Sequence, residues 1–77
     1  MNDLPAQAHL RVEIIMEFQG KRISKKDFEE NPLIQSSLPN LIQFQKKYHE
    51  ALNKASRSHS YFRMVVSENG IDITEVK

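Results

Sequence analysis

From Leu10 to Phe18 the chain alternates, with Leu10, Val12, Ile14, Met16 and Phe18 on one side and Arg11, Glu13, Ile15 and Glu17 on the other. A period of two predicts a half-buried strand, and the apolar Ile15 in the middle of the polar side predicts a central rather than an edge position. Gln19-Gly20 reads as a two-residue turn. It would set Phe18 against Lys21, Glu17 against Arg22 and Met16 against Ile23, which matches opposite charges outside and apolar groups inside.

After this hairpin the period changes. Ser24-Lys25-Lys26-Asp27 has the spacing of a capping box, so a short helix is expected to start there. It should end near Glu30, because the residue before Pro32 is driven out of the helical region. Pro32 to Ser37 reads as an irregular or 3₁₀ connection anchored by Leu33 and Ile34. The main helix is expected from about Leu38, with Ser37 as its cap and Pro39 in the first turn. Leu41, Phe44, Tyr48, Ala51, Leu52 and Ala55 recur at helical spacing and, widened by Ile42, form one apolar stripe. The run Ser56-Arg57-Ser58-His59-Ser60 breaks the stripe and reads as a loop.

Tyr61 to Ser67 and Ile71 to Val76 alternate again on either side of Glu68-Asn69-Gly70. A turn at Asn69-Gly70 predicts that Glu68 faces Ile71, Val66 faces Ile73 and Met64 faces Glu75. Phe62, Met64, Val66, Ile71 and Ile73 would then share the core side, and Tyr61, Arg63 and Val65 the other. Two hairpins flanking a helix predict an α+β domain of order ββ(α)αββ, a sheet of about four strands with the long helix packed on one face. Two strand orders satisfy this pattern. In one, the first and last strands pair in parallel at the centre, which resembles the β-grasp order in topology; in the other, the hairpins meet in a fully antiparallel sheet.

Composition narrows the functional classes. A chain of 77 residues has room for one core, so residues 9–77 are expected to form a single marginally stable domain behind a flexible N-terminal arm, residues 1–8. The absence of cysteine excludes disulfides and cysteine-based zinc sites, and it fits a reducing, cytoplasmic setting. Neither a basic region followed by an apolar run at the start nor a long apolar run elsewhere is present, so neither a signal peptide nor a membrane span is expected.

His9, His49 and His59 are forty and ten residues apart, the wrong spacing for a metal site. The two glycines, Gly20 and Gly70, are both explained by turns, which leaves no phosphate-cradling loop. No Gly-x-Ser-x-Gly nucleophile is present. An acid-base nuclease built from His59, Arg63 and Glu13 or Glu17 competes with the simpler view that these are cross-strand charges on a wet sheet face. No catalytic, cofactor or metal residue is therefore expected.

What the residues do suggest is binding without chemistry. Ile15, Tyr61, Arg63 and Val65 on the outer sheet face, with an exposed edge in the second hairpin, suit another protein or a second copy of the chain. Nucleic acid is the alternative partner. Eleven basic and ten acidic residues nearly cancel, yet Lys21, Arg22, Lys25 and Lys26 cluster in one segment, and Lys46, Lys47, Lys54 and Arg57 in another. If those clusters merged, they would form a basic surface for phosphates.

Overall fold

The alternating apolar residues after Arg11 form β1 (Val12–Phe18), which turns through Gln19-Gly20 into the short β2 (Lys21–Ile23). The structure, a computed structural model, describes residues 11–76; the expected arm, His9 and Leu10 lie outside the described residues. Register in this hairpin follows the charge and apolar matching: Met16 pairs with Ile23, Glu17 with Arg22 and Phe18 with Lys21. Both turn residues take positive φ, 53° at Gln19 and 80° at Gly20, as a type I′ turn requires.

The chain then forms two short helices, α1 (Lys25–Glu30) and α2 (Pro32–Ser37), before the long α3 (Leu41–Ser58). Ser24 closes the expected capping box, its hydroxyl accepting from the Asp27 N–H (3.1 Å) while the Asp27 carboxylate accepts from the Ser24 N–H (3.2 Å). The stretch 32–37 is α-helical rather than irregular or 3₁₀. Pro32, which ends α1, also occupies the first turn of α2, where its missing donor is harmless, and the Asn31 side chain caps that helix by accepting from the Leu33 N–H (3.0 Å).

The long helix starts three residues later than expected and ends later as well. Leu38 precedes Pro39 and is held extended (φ −89°, ψ 159°), so Asn40 and not Ser37 caps α3, accepting from the Gln43 N–H at 2.9 Å. At the other end Ser56, Arg57 and Ser58 are helical rather than loop. The helix stops at His59, which takes the left-handed conformation (φ 53°) and sends its N–H to the Ala55 carbonyl.

β3 (Tyr61–Ser67) and β4 (Gly70–Val76) complete the sheet, whose order is β2-β1-β3-β4. The fold is the expected α+β arrangement of two hairpins with one long helix on a face. The centre is a parallel pair, but it joins β1 to the third strand, Ile14 opposite Met64 and Ile15 opposite Val65, and the last strand takes the edge. The second hairpin turns at Glu68-Asn69 rather than Asn69-Gly70, so Val66 faces Ile71, Met64 faces Ile73 and Ser67 faces Gly70. Positive φ falls on Gly70 (120°) and not on Asn69, which removes the reason for a type I′ turn there. A slip of two residues is one full side-chain period, so the faces are unchanged. The two turns lie side by side, and the Gln19 N–H donates to the Glu68 carboxylate at 2.8 Å.

Val12, Ala51, Ala55, Phe62, Met64 and Val66 make the main buried cluster, and Ile34, an expected anchor, and Leu38 are buried outside it. Ala51 and Ala55 carry no bulk beyond Cβ, which lets α3 lie close on β3, and Met64 beneath it is fully buried. A helix is about 10–12 Å across and strands are about 4.8 Å apart, so one helix shields roughly two strands of four. On β1 the cover is partial: Val12 is buried, while Ile14, two residues on along the same face, stays 42% exposed.

Candidate protein-binding surface

The face of the sheet opposite α3 is built from the alternate residues of each strand. Register sets them in rows: Ile15, Val65 and Asp72 in one, Glu13, Arg63 and Thr74 in the next, then Tyr61 and Val76. No helix among the described residues packs across it; α3 lies on the core side, chiefly over β3, while α1 and α2 pack on each other. Because β1 and β3 are the central strands, the four residues expected to bind a partner fall on adjacent strands of one face.

Their environments differ. Ile15 and Val65 are half-buried neighbours that shield each other, and Tyr61 is 43% exposed at the start of β3. Arg63 lies between Tyr61 and Val65 along the strand and donates from Nε to the Glu13 carboxylate at 3.0 Å. A pair this open to solvent contributes about 0–1 kcal/mol, so its main effect is to neutralise the stripe between two apolar spots. Together the rows form a surface with apolar contacts at two heights and a fixed charge pair between them.

The basic residues do not gather in the same way. Lys21 and Arg22 sit on β2 at one edge of the sheet, followed by Lys25 and Lys26 on α1. Lys46, Lys47, Lys54 and Arg57 lie along α3 away from its buried stripe, and Glu50 sits between Lys47 (3.6 Å) and Lys54 (3.4 Å). Lys46 and Lys47, with Pro39, Gln43, Gly70 and Ile71, border a cleft of about 300 Å³ between α3 and β4, which is the opposite edge from β2.

Besides Ile14, three apolar residues expected inside are outside. Leu41 and Ile42 in the first turn of α3 are about two-thirds exposed, and Leu33 on α2 nearly so. The helical period cannot reveal this, because it records which side of a helix is apolar and not how far the sheet extends beneath it; comparing helix width with sheet width is the available signal.

Among the described residues no cluster of histidine, aspartate and glutamate could hold a metal ion, and no helix is long and apolar enough to cross a membrane. The structure brings Arg63 and Glu13 together at 3.0 Å on the outer face, and His59 caps the end of α3 two residues before β3. No protein-family model matches the chain, and neither a curated protein nor a solved structure matches it.

Proposed function

We propose that this protein is a small, non-enzymatic interaction module of the cytoplasm, an accessory, regulatory or inhibitory protein that docks on a partner through its outer sheet face or its free edge. The observation that carries this reading is the bare outer face over a parallel central pair. Parallel strands are ordinarily covered on both sides, and here Ile15, Val65 and Tyr61 stand on the uncovered side of β1 and β3. The nucleic-acid alternative has less behind it, since Lys46 and Lys47 border β4 at the edge opposite Lys21 and Arg22, and Glu50 offsets part of the α3 group.

The test is a double substitution, Tyr61→Ala with Val65→Asp, at positions whose side chains point away from the core. Partner binding should fall by at least about tenfold, with circular dichroism unchanged. A folded variant that binds as well as the parent would end the outer-face reading.

A further inference from the structure

The two edges of the sheet are unequal. β2 offers three residues, two of them Lys21 and Arg22, and short charged strands resist further pairing. β4 offers seven, Gly70–Val76, with no lysine or proline among them, and only β3 pairs with it among the described residues. Since the hairpin closes on Ser67 and Gly70, the backbone groups of Ile71, Ile73 and Glu75 are the ones directed at the open side.

We infer that β4 pairs antiparallel with β4 of a second copy about a twofold axis at Ile73, and that Glu75 of each copy enters the Lys46/Lys47 cleft of the other. This rests on the edge half of the proposed function and names its occupant. Charge selects the register. An axis at Asp72 would oppose that carboxylate to itself, and an axis at Glu75 would do the same; like charges directly opposite are destabilising. An axis at Thr74 would leave Gly70 and Ile71 beyond the end of the second strand. The axis at Ile73 pairs the whole strand, with Asp72 opposite Thr74 and Ile71 opposite Glu75.

That last pairing is what the cleft explains. Ile71 and Glu75 both lie on the helix side of the sheet, across from Val66 and Phe62. Glu75 of the second copy therefore arrives beside Ile71, where Lys46 and Lys47 border the cleft. Lys46 forms no ion pair among the described residues, and Lys47 has only the loose contact to Glu50 at 3.6 Å. Twofold symmetry repeats the contact, as an isologous interface must. The two long helices do not collide: α3 lies chiefly over β3, and the two β3 strands would be three strand spacings apart, about 14 Å, which exceeds a helix diameter of about 10–12 Å. The product is an eight-stranded sheet with both long helices on one side and a doubled outer face on the other.

Sedimentation equilibrium of the full chain tests this. The parent should be a dimer, and Glu75→Lys, at an exposed position, should raise its dissociation constant at least about tenfold while circular dichroism stays the same. Lys46→Glu with Lys47→Glu should do likewise, and all three substitutions together should recover the dimer. A chain monomeric at about 1 mM, or a dimer indifferent to Glu75→Lys, or no recovery in the triple variant overturns the inference. A dimer that ignores Glu75→Lys but is lost with Tyr61→Ala and Val65→Asp would also overturn it, and would leave the outer-face reading standing.

Discussion

Truncating Met64 and Ile14 to alanine, one at a time, should cost very different amounts although the two residues are direct neighbours on the same face of the sheet. Met64 is fully buried under α3, so Met64→Ala loses its transfer energy and leaves a closed cavity, for an expected 2–5 kcal/mol, or about 3. Ile14 is 42% exposed. Complete burial of such a side chain is worth about 1.5–3 kcal/mol, so the shielded part lost on truncation amounts to about 1 kcal/mol, and the gap opens to water rather than forming a void. Urea unfolding followed by circular dichroism reads both. With a slope of about 1–1.5 kcal/mol/M for a chain this small, Ile14→Ala should lower the midpoint by less than about 1 M and Met64→Ala by at least about 2 M. A domain of this size has roughly 4–12 kcal/mol in all, so the second variant should lose roughly a quarter to three quarters of it. Equal losses, or a larger loss at Ile14, would mean that α3 covers Ile14 as fully as Met64 and would refute the explanation of its exposure.

Two further outcomes concern the ends of α3. His59 holds φ at 53° without the freedom of glycine, so His59→Gly should stabilise the domain by about 0.5–1 kcal/mol and raise the melting temperature by several degrees; a lower melting temperature would show that the imidazole makes a contact worth more than the strain. Asn40→Ala removes the acceptor for the Gln43 N–H and should cost about 1 kcal/mol in the same melt, whereas Ser37→Ala should cost less, because Ser37 is not the cap; the reverse order would restore the earlier start.

The first hairpin was legible because three independent cues agreed at Gln19-Gly20: the alternation on both sides, the Glu17–Arg22 charge match and the glycine. At Asn69-Gly70 the alternation and a strong dipeptide preference had no cross-strand charge match beside them to fix the register. The chain instead turns at Glu68-Asn69 and gives the positive φ to Gly70, but a two-residue slip left every side chain on its expected face. Proline misled in one place and would have helped in another. Pro32 marks the end of α1 but also opens α2, while the restriction on a residue before proline, applied at Asn31, applies equally at Leu38 and moves the start of α3 to Leu41. For the surface, the period of two sufficed to put Ile15, Tyr61, Arg63 and Val65 on one face. It could not show that Arg63 would be tied to Glu13, since that depends on β1 and β3 being parallel neighbours, a contact fifty residues apart in sequence. Nor could it show that Ile14, Leu41 and Ile42 would be open, since that depends on where a single helix settles over four strands.

Affinity capture from a lysate of the native host, performed with and without nuclease and with the parent chain beside Tyr61→Ala, Val65→Asp, tests the interaction function most directly. A protein partner that survives nuclease and disappears with the double substitution is the predicted result. A capture abolished by nuclease, or one that the double substitution leaves intact, would contradict it.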